Sequence, residues 1–282
     1  MSEYSKVGLI NSGGGLGNQL FQICTLYAFA ISANKTPVLL TDYNETYRRK
    51  FTEYMTSLFQ SFTMSTSNKE VQEMFTKGKR PIHYKETNFW YNQIPNDSNL
   101  IQGYFQSYKY FSTYLPQLRE LFYNNTKYIA DKMVHKWNIT NPNESCMCHI
   151  RRGDYIGQFS DIYEYNGEEY YRRALSIAVD KQTHIKTLFV FTDDFTFVKK
   201  WDIWKTCGLQ VIFVEEQDAL ETFIAMTMCG NFIVTNSSLS LTASLLSLHQ
   251  DGVKIASSKW FKPSSYVQAK LEDLYPEDYI II

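Results

Sequence analysis

In the second half of the chain, short apolar runs alternate with longer segments whose apolar residues recur at helical spacing. Residues 146–150, 187–191, 211–214, 232–234 and 253–256 read as strands. Residues 168–179, 195–205, 218–229 and 239–248 read as helices between them, and 158–166 as a loop. Apolar residues three and four apart share one face of a helix, whereas a strand buried on both faces is apolar throughout. This rhythm predicts a parallel sheet covered by helices. The first half opens in the same way. A strand at 7–10 precedes a helix over 20–34, on which Phe21, Cys24, Ala28 and Ile31 recur. Thr36-Pro37 stops that helix, and 38–42 is a second strand. From Tyr43 to Asn99 aromatic and polar residues mix without a period, which predicts irregular structure and short helices, with 55–62 either helix or strand. A strand at 100–103 and a helix over 116–137 follow, the latter with Leu118, Leu121, Phe122, Ile129, Met133 and Val134 at its apolar positions. The polar stretch 138–145, with Pro142, is the linker candidate. The expectation is an α/β protein of two domains, 1–140 and 141–282.

Polar clusters fall where the predicted strands end. Arg151-Arg152-Gly153-Asp154 follows one strand, Thr192-Asp193-Asp194 the next, and Thr235-Asn236-Ser237-Ser238 a third. In open parallel sheets ligands bind beyond the carboxyl ends of the strands, so these segments are expected on one rim. Arginine presents a planar fork of donors that matches phosphate oxygens in pairs. Gly153 allows a sharp turn that lets both arginines converge on one anionic group; the competing reading is a surface arginine pair bridged to Asp154. Ser237 and Ser238 precede a helix, where hydroxyls and backbone N–H groups together hold a phosphate, or where one serine simply caps the helix.

Near the start, Asn11-Ser12-Gly13-Gly14-Gly15-Leu16-Gly17-Asn18-Gln19 lies between strand and helix. Gly15 and Gly17 belong to a loop whose free N–H groups suit an anion, and Asn18 and Gln19 place two amides at its exit, suited to hydroxyls. A nicotinamide site is the rival, supported by Asp42 at the end of the second strand. Against it, the glycine that packs helix on strand is missing: Asn18 or Leu20 holds that position, depending on the frame.

Composition narrows the partners. The 282 residues carry a net charge of −1, which gives no reason to expect a nucleic acid. Aromatics reach 16%, with 21 Tyr and 19 Phe, a richness compatible with a tyrosine-rich core or with aromatic faces lining a sugar site. The five cysteines are an odd number at irregular spacing, and Cys24, Cys207 and Cys229 read as reduced core residues. Cys146 and Cys148 share one strand face and His149 points away, so no metal site is expected there. The N-terminal residues lack a signal-peptide pattern, no apolar run is long enough to span a membrane, and three Asn-x-Ser/Thr tripeptides reflect composition. The chain reads as soluble and cytoplasmic.

These segments together resemble the α-1,2-fucosyltransferases of glycosyltransferase family 11. The matching residues are Gly14-Gly15-Leu16-Gly17-Asn18-Gln19-Leu20-Phe21-Gln22, Gly103-Tyr104-Phe105-Gln106-Ser107, His149-Ile150-Arg151-Arg152-Gly153-Asp154-Tyr155, Phe191-Thr192-Asp193-Asp194 and Thr235-Asn236-Ser237-Ser238-Leu239-Ser240. The chain departs from the pattern at Leu241-Thr242-Ala243-Ser244, where members often carry tryptophans and alanines. The resemblance implies a GT-B fold of two Rossmann-like domains, with GDP-fucose on the second domain and a galactose-terminated acceptor in the cleft. It also implies roles. Arg151 contacts the diphosphate, with Arg152 as second candidate. His149 and Asn231 lie near the guanine or ribose, Asp193 and Asp194 shape the nucleotide pocket, Ser237 and Ser238 bind phosphate, and Asn18 sits near the fucose and the attacking hydroxyl. Inversion at the anomeric carbon requires a single in-line displacement. Asp154 is either its general base or the group that orients an arginine, with Glu168, Glu169 and a phosphate oxygen as other bases. No Asp-x-Asp metal motif is present, since Phe195 follows Asp194, and two arginines can neutralise the leaving group, so no metal is expected. A nicotinamide oxidoreductase and a non-catalytic sugar-binding module are the readings from other classes.

Overall fold

The computed structural model of the chain describes residues 6–40, 51–65, 82–215 and 217–282. Asp42, the acid of the nicotinamide reading, lies outside these residues. The chain divides into two compact units, Met1–Thr126 and Lys127–Ile282. The division falls inside a long helix, α2, Leu115–Trp137, which ends just short of the 140/141 boundary expected from the linker.

The first unit is built on five parallel strands in the order β3-β2-β1-β5-β4. These are β1 (Lys6–Ile10), β2 (Thr36–Leu40), β3 (Thr63–Ser65), β4 (His83–Lys85) and β5 (Leu100–Gln102). Helix α1, Leu16–Ser32, carries the chain from β1 to β2 and is buried over most of its length. It starts four positions ahead of the expected Leu20, so Asn18 and Gln19 stand in its first turn and not on a loop. Pro37 lies within β2, before the stretch that pairs with β3. The segment 55–62 is neither helix nor strand but a run of turns. In this unit β1 pairs with β2 on one side and β5 on the other, so the connections run in opposite directions from β1. That reversal opens a crevice between β1 and β5 at the carboxyl rim.

The second unit has six parallel strands in the order β11-β10-β9-β6-β7-β8. They are β6 (Ser145–Ile150), β7 (Thr187–Thr192), β8 (Gln210–Phe213), β9 (Asn231–Val234), β10 (Lys254–Ala256) and β11 (Ile280–Ile281), the last beyond any strand expected from the pattern. Helices α3 (Glu168–Lys181), α6 (Ala219–Thr227) and α7 (Ser238–Leu246) intervene. The single helix expected over 195–205 is two short ones, α4 (Phe195–Val198) and α5 (Ile203–Thr206), because Trp201 turns into the core between them and packs on Tyr171 at 5.5 Å. A four-residue helix α8, Leu271–Leu274, precedes β11. Cys146, Cys148 and Ile150 face the same cluster as Tyr171, Leu175 and Val190. Burying a side chain of this size stabilises by about 1.5–3 kcal/mol. The departure at Leu241–Ser244 is absorbed by packing: all four residues are buried, and the Ser244 hydroxyl meets the Tyr279 hydroxyl at 2.5 Å. The strand order reverses at β6, which places the crevice between β6 and β9. Among the described residues no helix is long and apolar enough to cross a membrane.

Candidate functional site

In the second unit the arginine segment leaves β6 at the crevice. Strand β6 is buried throughout because it is central, and its carboxyl end delivers Arg151 to the rim. Arg151 is gripped by two carboxylates: Nη2 donates to Asp154 Oδ2 at 2.8 Å, and Nη1 lies 3.0 Å from Asp193 Oδ2. Its side chain keeps 36% of its surface exposed, and its guanidinium stands 5.8 Å from the centre of the Tyr155 ring. Arg152 turns the other way. It pairs with Asp194, lies flat on Phe197 at 3.6 Å from the ring centre, and is 16% exposed. The alternative in which Arg152 pairs with Asp154 is not formed: Asp154 bonds Arg151, and Arg152 pairs with Asp194 at the start of α4. An oriented Arg–carboxylate pair trades side-chain freedom for a fixed fork of donors, so Arg151 is presented with little reorganisation left to make.

Asp193 is the anchor of this loop. Its Oδ1 accepts from the backbone N–H groups of Arg152 at 2.9 Å and Gly153 at 3.1 Å. Position 153 is pressed so closely on Asp193 that a Cβ there would lie 2.9 Å from Oδ2. Asp194 caps α4 by accepting from Phe197 N at 3.1 Å. His149 sits one residue before the end of β6, buried, with its carbonyl accepting from the Tyr171 hydroxyl at 3.1 Å. Burial first, and the Arg151 charge second, push its pKa down to about 3 against the pull of Asp193, so the imidazole is neutral. Its Nδ1 is buried and has no partner among the described residues. The same holds for Asp154 Oδ1, which leaves Asp154 with one oxygen on Arg151 and the other shielded from water.

Across the crevice, Ser237 occupies the cap position of α7, but its hydroxyl bonds no helix N–H. Ser237 and Ser238 thus bring hydroxyl and backbone donors to one helix N-terminus, where the macrodipole favours an anion. Between the two lips lies a buried network that the sequence did not reveal. Asn236 donates to the carbonyls of Glu164 at 2.7 Å and Trp260 at 2.8 Å, and accepts from Asn166 at 3.1 Å and Thr235 at 3.0 Å. Tyr155 stacks on Tyr163 at 4.3 Å and donates to the Asn236 carbonyl at 2.7 Å. The arginine loop is thereby tied directly to the end of β9. Of its members the sequence singles out Thr235, Asn236 and Tyr155 as parts of the rim clusters and motifs, but not Asn166 or Tyr163.

One expected site residue is misplaced. Asn231 is the first residue of β9, at the end of the sheet opposite the rim. It is fully buried, donates to the carbonyls of Asn143 at 3.0 Å and Ser145 at 3.3 Å, and accepts from Val253 N at 3.1 Å. Its amide closes the starts of three neighbouring strands, with both N–H donors used and no surface exposed to a guanine or ribose. The thiols Cys146 and Cys148 face the core, and burial raises both, Cys146 to about 12. Glu168 is paired with Arg172 at 2.8 Å, and Glu169 stands at 3.7 Å from the same guanidinium.

The first unit builds a second rim. Gly13 and Gly14 take positive φ of 84° and 86°, and Gly15 precedes α1. Gly17 is buried in the first helical turn, so the turn proper is shorter than expected. Gln22 locks it by donating to the carbonyls of Gly13 at 3.1 Å and Asn18 at 3.2 Å and accepting from Ser12 N at 2.9 Å. A side chain at position 14 would collide with Asn18, whose Nδ2 lies 2.2 Å from where a Cβ would stand. Asn18 Oδ1 accepts from Gln106 Nε2 at 2.7 Å. The glycine motif after β1 and the Gly103–Ser107 motif after β5 therefore meet at the crevice of this unit.

The chain matches the family described as glycosyl transferase family 11 over residues 3–282. It is 26% identical over 267 residues to an alpha-1,2-colitosyltransferase of Escherichia coli, covering 88% of this chain and 90% of the relative. It is 29% identical over 174 residues to a galactoside 2-alpha-L-fucosyltransferase of Caenorhabditis elegans, covering 59% of this chain and 42% of the relative. A crystal structure of POFUT1 in complex with GDP is similar with a TM-score of 0.49 and 12% identity, covering 89% of this chain and 97% of that one. With the motifs at two carboxyl rims and a family match from end to end, this chain belongs to glycosyl transferase family 11.

Proposed function

We propose that this protein is an inverting fucosyltransferase of the GT-B type that moves L-fucose from GDP-β-L-fucose to O2 of a terminal β-galactose. The observation that carries the reading is Arg151, at the carboxyl end of β6 where the strand order reverses, paired with Asp154 and Asp193 and still 36% exposed. In the reaction the bond from the anomeric carbon to the diphosphate oxygen breaks, a bond from the acceptor oxygen forms on the opposite face, and the hydroxyl proton is released. Negative charge grows on the diphosphate as the sugar departs. A pre-aimed guanidinium stabilises that charge more than the ground state, which is the requirement for lowering a barrier. Ser237, Ser238 and the N-terminus of α7 supply further donors to the phosphates. The Nδ1 of neutral His149, without a partner among the described residues, suits a donor on the nucleoside. Asp154, with one oxygen on Arg151 and one buried, acts as the orienting partner of Arg151 in this reading, and Asn18 contacts the transferred sugar.

The colitosyltransferase relative favours a second donor reading within the same chemistry. Colitose is fucose without its 3-hydroxyl, so the leaving group and the arginine's task are unchanged. Incubation with GDP-fucose and with GDP-colitose against a panel of galactose-terminated acceptors, with GDP release measured and the linkage assigned by NMR, separates the two. Transfer of fucose to O2 is the expected result. Exclusive use of GDP-colitose moves the donor assignment, and no GDP release from either donor overturns the proposal. The same assay in EDTA retains activity if the arginines suffice to neutralise the leaving group.

A further inference from the structure

Glu86 stands one residue beyond β4, at the carboxyl rim of the first unit, in a stretch where the sequence shows no motif. It faces the end of β5, and its backbone N–H donates to the Gln102 carbonyl at 2.8 Å. A Cβ at position 103 would lie 2.4 Å from Glu86 Cβ, so only glycine lets the two strand ends close to this distance. The carboxylate then reaches the next turn. Oε2 accepts from Phe105 N at 2.7 Å, and Oε1 accepts from the Tyr110 hydroxyl at 3.2 Å. Phe105 has φ of 52°, a left-handed conformation that a bulky residue holds only when its surroundings impose it. Its buried ring is enclosed by Tyr84 at 6.4 Å and Tyr110 at 5.2 Å. The next residue is Gln106, whose amide donates to Asn18.

We propose that Glu86 is a positioning residue for transfer: its carboxylate holds Phe105 in the left-handed turn that aims Gln106 at Asn18 and so fixes the Asn18 amide. The inference rests on the reading of Asn18 as a contact of the transferred sugar. Without the carboxylate, the Phe105 N–H loses a charge-assisted bond and the turn loses the contact that opposes its strain. Asn18 then keeps its place in α1 but not its orientation.

The carboxylate also gives the turn a pH dependence. Burial lifts Glu86 to about 7, opposed by the bonds from Phe105, Tyr110 and the Tyr104 backbone. The titratable groups facing it are Tyr84 and Tyr110, whose hydroxyls are both held above their ordinary range and stay neutral. Below pH 7 the carboxyl is protonated and the clamp weakens, so turnover falls on the acid side.

The test compares Glu86→Ala, Glu86→Gln and Asn18→Ala for kcat, acceptor KM, GDP affinity by titration, and kcat against pH. Glu86→Ala is expected to lose about tenfold in kcat, as a slightly misaimed reacting group does, with GDP affinity kept within about twofold. Glu86→Gln, neutral like the protonated acid, still accepts from Phe105 N and is expected to turn over at the lower rate the wild type shows on the acid side, above Glu86→Ala, with no acid limb near pH 7. Wild-type kcat in Glu86→Ala, beside a slow Asn18→Ala, overturns the positioning role while leaving Asn18 in place. Wild-type kcat in Asn18→Ala removes the reading of Asn18 instead, and this inference with it. Should Glu86→Ala fail to fold, Glu86→Gln decides: an acid limb retained near pH 7 overturns the proposal.

Discussion

Replacing Asp193 by alanine and by asparagine separates its two tasks. Asp193→Ala removes the one oxygen that accepts from both Arg152 N and Gly153 N, at 2.9 and 3.1 Å, and the ion pair with Arg151 at 3.0 Å. The two N–H groups are on an exposed turn that water can reach, so each bond contributes about 1 kcal/mol net and not the full value of a buried charged one. The ion pair joins side chains that are 36% and 25% exposed, which places it at about 0.5–1 kcal/mol after solvent screening. The total is about 2–3 kcal/mol. Asp193→Asn keeps a carbonyl oxygen for both N–H groups and loses only the ion pair, so about 0.5–1 kcal/mol. The assay is equilibrium urea unfolding followed by tryptophan fluorescence, to which the second unit contributes four of the five tryptophans, Trp137, Trp201, Trp204 and Trp260. The order wild type, asparagine, alanine is expected, with the larger gap between the last two. GDP affinity should fall in both variants, because Arg151 loses one of its two carboxylates in each. An alanine variant within about 0.5 kcal/mol of wild type, or an asparagine variant as unstable as alanine, would refute the assignment of Asp193 as the anchor of the turn.

Arg151→Ala should weaken GDP binding and slow transfer by about 10²–10³-fold, the cost of one pre-aimed donor to a departing anion, and single-turnover kinetics measure it. Asn231→Ala deletes two buried bonds and one part-buried bond and should cost about 3 kcal/mol in urea unfolding with GDP affinity unchanged; a selective loss of GDP binding would return Asn231 to the site. His149 titrates at about 3 in the folded protein and at its ordinary 6.5 when unfolded, so below pH 6.5 the unfolded chain takes up a proton that the folded chain refuses. Stability should therefore fall as pH drops from 6.5 toward 3, and that part of the fall should vanish in His149→Gln when urea midpoints are compared across pH.

Some of this was written in local pattern. The apolar runs of the second unit identified β6, β7, β9 and β10 because a central parallel strand must be apolar on both faces, and the edge strand β8 by its short run Val211–Phe213. The polar ends of those strands marked the rim for the same reason: where burial stops, charged residues are first tolerated. The resemblance in the motifs around Gly15, Gln106, Arg151, Asp193 and Ser237 led to the family. The role near the nucleoside that the resemblance implied for Asn231 does not fit its place, since it stands at the start of β9 and not at the rim. Strand order was decided only by tertiary structure, and with it the crevice between β6 and β9, because neighbours in a sheet are chosen by packing over long sequence separations. The same holds for the partners of the arginines. Spacing offered Asp154 to both, but a turn anchored by Asp193 and an aromatic ring at Phe197 sent Arg151 to the rim and Arg152 to α4. Glu86 had no signal at all. It follows a three-residue strand, and its importance comes from residues almost twenty positions away that the sheet brings to 2.7 Å.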